Sequence, residues 1–192
     1  MRLTIILFST LFSLSLLSLV NSANAASASR TYLVNGIASA VPFIGYGMRN
    51  LKKKIRGAKL FSYLTSGEGS AVARSITRDA IALHSANPDI KINLIGISYG
   101  ANMVTKVASS LAGKGIAVNY VGIIDGTALT SLRSNVKKAD NFTCTNSDCT
   151  GARARIAGGN SVTVLRNFSI KSSHIPLGNN KQVHRRVISQ IR

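Results

Sequence analysis

Ser98 is the residue of this sequence best placed for covalent chemistry. It lies in Gly96-Ile97-Ser98-Tyr99-Gly100, between the most continuous apolar run outside the N-terminus and a helix-like pattern. In that context the serine stands on a sharp strand-to-helix turn, and the two glycines remove side chains that would collide with the turn's neighbours. The hydroxyl then meets the N-terminus of the following helix, where free N–H groups and the helix dipole favour developing negative charge. The same five residues could be an ordinary turn with Ser98 as a helix cap; the flanks favour the nucleophile.

A serine nucleophile needs a base within hydrogen-bond reach and a carboxylate to orient that base. The chain offers three histidines and six acids, so elimination is practical. His84 falls inside a helix pattern, and His184 falls on the expected solvent face of the last helix, beside Arg185 and Arg186. His174 sits in a loop directly after the last strand, where the working groups of open α/β sheets gather; otherwise it is a solvated loop residue. Asp79 is mid-helix, Asp89 follows Pro88 in a turn, Glu68 lies between two glycines, and Asp140 and Asp148 belong to a polar cysteine-bearing region. Asp125 alone closes a core strand, the one after the Ser98 helix. It is the favoured acid, with Asp140 in reserve; its other reading is an Asx turn with Gly126. The oxyanion of an attacked carbonyl would be held by backbone N–H groups. Tyr99 supplies one, and Ile37, in the loop after the first strand, the other, with Ala38 close behind.

These residues need elements to hold them. Tyr32-Leu33-Val34 and Leu60–Leu64 read as strands, with a helix from Met48 to Ile55 between them. A helix capped by Ser70 places Val72, Ile76, Ala80 and Leu83 on one face. Residues 90–97 are nearly all apolar or β-branched, as in a strand buried on both faces. The helix after Ser98 has Met103, Val104, Val107, Ala108 and Leu111 on one side and ends at Gly113. Val118–Ile124 is a second buried strand, Val162–Leu165 begins a last one, and Val183, Val187, Ile188 and Ile191 make a final amphipathic helix. Repeated strand–helix alternation predicts an α/β fold: a mainly parallel, doubly wound sheet of about five strands with helices on both faces.

The N-terminus adds a location. Met1-Arg2, the apolar run Leu3–Val20 and the small-residue site Ala23-Asn24-Ala25 read as a secretory signal peptide, residues 1–25, cleaved after Ala25. Uncleaved, the run is about long enough to span a bilayer, but the Ala-x-Ala site favours cleavage. Residues 26–192 then form one exported domain, periplasmic or secreted, with no second long apolar run. Cys144 and Cys149 are expected to form a small disulfide in that compartment. Two thiols alone are a poor metal site, and neither a metal nor a cofactor is called for.

The net charge is +18. Basic residues cluster at 49–59, at 133–155 and along the last helix. They suit adhesion to an anionic membrane or envelope surface, or are simply a solvated face. Nucleic acid fits poorly, because few aromatics interleave with the cations.

Gly96-Ile97-Ser98-Tyr99-Gly100, then Ile123-Ile124-Asp125-Gly126, then His174 before a terminal amphipathic helix together resemble small bacterial lipase/thioesterase-like α/β-hydrolases. The likeness covers roughly Thr31 to Arg192. The order Ser98, Asp125, His174 matches that family, and an acid directly after the strand following the nucleophile is similar to pancreatic-type lipases. The chain departs from the common lipase form at Ile97, where His is usual, and at Tyr99, where Leu is usual. The resemblance implies ester or thioester hydrolysis through an acyl-enzyme, on a small ester, thioester or lipid. Separately, five strands with short connections leave little room for a lid, so the fold reads as capless. The contrasting expectation is a non-catalytic protein on the same scaffold, binding anionic surfaces through its basic patches.

Overall fold

A computed structural model describes residues 28–41 and 43–192. The signal peptide and its cleavage site lie outside the described residues. Six strands form one parallel sheet: β1 (Ser29–Val34), β2 (Lys59–Phe61), β3 (Lys91–Ile97), β4 (Val118–Ile124), β5 (Val136–Cys144) and β6 (Val164–Ile170), in the spatial order β2-β1-β3-β4-β5-β6. Helices α1 (Tyr46–Lys54), α2 (Ser66–Ala86), α3 (Tyr99–Ala112), α4 (His174–Leu177) and α5 (Lys181–Gln190) connect or follow the strands.

The side-chain period of two divides the buried residues between two cores. Tyr32, Leu94, Val121 and Ile123 face Ile76 and Ala80 of α2 and Met103, Val104 and Val107 of α3. Leu33, Ile95, Tyr120, Ile124 and Phe142 face Met48 and Leu51 of α1 and Val183 and Val187 of α5. Helices therefore cover both faces. From β1 the chain moves outward to β2, then returns to place β3 on the other side of β1. This reversal puts a crevice at the carboxyl ends of β1 and β3, the usual ligand position in open α/β sheets.

The sixth strand is β5, inside a region that reads from the sequence as a polar connection. Lys137 and Lys138 break its apolar pattern, and two buried polar residues, Asp140 and Asn141, sit at its centre. Their partners are remote in sequence. Arg186 forks onto Asp140 at 2.8 and 3.2 Å, Tyr120 donates its hydroxyl to the same carboxylate, and Asn141 donates to Asn167. Asp140, the reserve acid, is thereby an element of the sheet–α5 contact.

Two local expectations are also corrected. Helix α2 starts earlier, with Thr65 rather than Ser70 as cap. Thr65 accepts the Glu68 N–H at 3.3 Å, and the Glu68 carboxylate accepts the Leu64 N–H at 2.8 Å, a capping-box-like exchange. His184 is buried rather than solvated. Burial pushes its imidazole below its ordinary value and the Lys54 charge adds to this, while the Gly178 carbonyl opposes it. The ring takes Lys54 Nζ at 3.1 Å and donates from Nε2 to Gly178 O at 2.8 Å, tying α1 and α5 to the end of α4.

Candidate active site

The parallel ladder continues past the strand ends and fixes three turns side by side. Ser98 N–H donates to Ile124 O at 2.8 Å, Asp125 N–H to Phe142 O at 2.8 Å, and Asn35 N–H to Phe61 O at 3.0 Å. The three non-glycine residues with positive φ among the described residues all lie in these turns: Ala38 (61°), Ser98 (56°) and Asp125 (41°). Such conformations cost about 1–3 kcal/mol each and persist where the surroundings over-determine them.

The glycines around Ser98 are present for lack of space. A Cβ on Gly96 would strike the Gly100 backbone, and one on Gly100 would strike the carbonyl oxygens of Val34 and Asn35. The turn can therefore fold this tightly against β1 only without those side chains. Gly36 lies beside the serine itself: a Cβ there would sit 3.0 Å from Ser98 Cβ and 3.3 Å from its Oγ.

His174 opens α4, shortly after β6. Its Nδ1 lies 2.6 Å from Asp125 Oδ2, with the Asp125 side chain fully buried and the His174 ring 22% exposed. Asp125 also accepts the Thr150 N–H on Oδ2 at 3.1 Å and the Thr150 hydroxyl on Oδ1 at 3.0 Å. Burial alone would raise the Asp125 carboxyl, but the hydrogen bonds from His174 and Thr150 hold it below its ordinary value. It is thus a carboxylate that accepts the Nδ1 proton of His174 and leaves Nε2 free to face the cavity.

Ser98 and His174 both line one cavity of about 260 Å³, with Gly36, Ile37, Ile44 and Met48 among its other walls. The Ser98 hydroxyl makes no hydrogen bond to His174 among the described residues. In unliganded sites that contact is commonly loose and tightens with substrate. Tyr99 N–H stands in the first turn of α3, where the helix supplies no acceptor. Ala38 N–H is already given to Leu64 O at 3.3 Å, whereas Ile37 N–H has no acceptor among the described residues. His84, Asp79 and Glu68 stay on α2, away from the cavity, and Asp79 pairs with Lys59 at 2.8 Å.

Cys144 and Cys149 form the expected disulfide. Three supporting residues were not foreseen. Thr150 holds Asp125, Asp148 accepts the His174 backbone N–H at 3.1 Å, and buried Asn102 pins the turn after Asp125 by accepting the N–H groups of Thr127 and Ala128 at 3.0 Å each. Their spacing from the site residues carries no local signal; only the tertiary fold joins them.

Solved structures share this architecture. The type II thioesterase YbtT from the yersiniabactin pathway is similar at a TM-score of 0.55 and 12% identity, over 87% of this chain and 94% of that one. The surfactin-cyclising thioesterase domain SrfTE matches at 0.53 and 14%, over 86% and 90%. The NocB thioesterase domain from the nocardicin cluster matches at 0.51 and 14%, over 86% and 94%. At these identities the likeness establishes the fold alone: an α/β-hydrolase fold. No protein-family model matches the chain, and no curated protein does.

Proposed function

We propose that this chain is an exported serine hydrolase that cleaves ester or thioester bonds through Ser98, His174 and Asp125. The observation that carries this reading is His174, paired at 2.6 Å with buried Asp125 and lining the same cavity as a serine held at positive φ. His174 Nε2 takes the Ser98 proton as Oγ attacks the acyl carbon. The N–H groups of Tyr99 and Ile37 receive the oxyanion. His174 returns the proton to the departing alcohol or thiol, and water, activated by the same imidazole, releases the acid from the acyl-enzyme. Asp125 fixes the tautomer and stabilises the imidazolium.

The cavity favours an apolar, short acyl group. Ile37, Ile44, Met48, Ile97 and Ile175 line it, and its volume lies below the usual range for drug-sized ligands. Val41 and Phe43, close in sequence to the lining residue Ile44, are exposed apolar side chains. The thioesterase names of the structural neighbours favour thioesters among the possible substrates. Export is supported by the N-terminal pattern and by the disulfide. The lysines of α1, directly after the apolar loop, suit contact with an anionic surface.

The test is hydrolysis of p-nitrophenyl esters and N-acetylcysteamine thioesters of two to sixteen acyl carbons, with Ser98→Ala in parallel. Turnover that peaks at short chains and vanishes in Ser98→Ala is expected. Equal rates for both proteins, or none with any substrate, would overturn the reading.

A further inference from the structure

A single short loop touches both turns that carry Asp125 and His174. It starts at Cys144, the end of β5, and the bond to Cys149 closes it over a separation of five residues. On one side Thr150, next after the second cysteine, gives its N–H to Asp125 Oδ2, and its single hydroxyl proton lies between Asp125 Oδ1 at 3.0 Å and Gly126 O at 2.5 Å, while Cys144 Sγ lies 3.4 Å from Oδ2. On the other side the loop reaches the segment leading into α4. Asn146 donates from its side chain to Ser173 Oγ at 2.7 Å and from its backbone to Ser172 O at 3.3 Å, and Asp148 takes the His174 N–H.

The loop residues Thr145, Asn146, Ser147 and Asp148 are exposed and polar, so packing does little to fix their shape. The crosslink supplies what packing does not. A ring this small removes little chain entropy, so local order is its larger effect. Thr150 meets Oδ2 with its N–H and sets its hydroxyl between Oδ1 and the Gly126 carbonyl, which ties the carboxylate to its own turn, opposes rotation about its axis and keeps Oδ2 towards His174.

We propose that Thr150 and Asp148 are positioning residues, and that the disulfide-closed loop clamps acid and base in register independently of the bond between them. This rests on the hydrolase reading above. It also makes a claim about the Asp125–His174 pair that needs no turnover to check.

Thr150→Val keeps the shape and the backbone N–H but removes the hydroxyl; Thr150→Ser restores it. With p-nitrophenyl butyrate, kcat should fall on the order of tenfold in Thr150→Val, as for loss of a hydrogen bond to a charged group, with KM little changed. Thr150→Ser should return to within about twofold. The low-field proton resonance of His174 Nδ1–H, assigned by its absence in His174→Asn, should shift or broaden in Thr150→Val and in the double variant Cys144→Ala/Cys149→Ala, and return in Thr150→Ser. An active wild type with unchanged kcat and an unchanged resonance in Thr150→Val overturns the clamp alone. An inactive wild type whose resonance still responds to Thr150→Val overturns the hydrolase reading and upholds the clamp.

Discussion

Gly36→Ala separates reactivity from folding. The backbone at Gly36 is not in the left-handed region, so alanine is conformationally allowed there. The added methyl would sit 3.0 Å from Ser98 Cβ and 3.3 Å from Oγ, so the serine must give by a few tenths of an ångström. Displacing a reacting group by 1 Å can cost about 100-fold; on that scale a shift of about 0.3 Å corresponds to roughly fourfold. Stability should change little or rise, because replacing Gly by Ala narrows the unfolded ensemble by about 0.4–1 kcal/mol and offsets the local crowding. The assay is kcat/KM for a short p-nitrophenyl ester beside a urea melt. Gly158→Ala is the control, since a Cβ there meets nothing within 4 Å. A folded Gly36→Ala protein with wild-type kcat/KM would refute the placement of Gly36 against the nucleophile.

Asp125→Asn should lower kcat by about 10⁴-fold, as expected when the base loses the partner that fixes its tautomer. The folded Asp125 carboxyl is held below its ordinary value, so its stabilisation is present above about pH 3.9 and disappears as pH falls through the lower, folded value. The wild-type advantage over Asp125→Asn in urea melts should therefore shrink between pH 7 and pH 3. Arg186→Leu should cost about 2–3 kcal/mol in the same melts, below the 3–5 of a fully buried pair because the guanidinium is partly exposed, as Asp140 remains buried with only Tyr120 to satisfy it. Phe43→Ser should weaken binding to anionic phosphatidylglycerol vesicles about tenfold, since an 85% exposed phenyl ring has its burial still to gain. Sedimentation with vesicles measures it.

Legibility followed sequence distance. Ser98, Asp125 and the 90–97 and 118–124 strands were readable because glycine punctuation and apolar runs are local signals. His174 is reached by elimination among three histidines, and the structure places its Nδ1 2.6 Å from Asp125. Strand β5 was hidden because its buried Asp140 and Asn141 are satisfied by Arg186 and Asn167, 46 and 26 residues away. A pattern of apolar residues cannot register a polar residue whose partner lies in another element. His184 was misplaced for the same reason: its arginine neighbours suggested solvent, while Lys54 and Gly178 make a buried socket. Thr150 and Asp148 had no signal beyond their nearness to Cys149, whose bond to Cys144 brings them to the site.

The central claim is that Ser98 is an activated nucleophile. Incubating the folded protein with a fluorophosphonate and locating the adduct by peptide mass spectrometry tests it most directly. The expected result is a stoichiometric adduct on Ser98, absent in Ser98→Ala and slowed by orders of magnitude in His174→Ala. No adduct on the folded wild type, or an adduct whose rate survives His174→Ala unchanged, would contradict it.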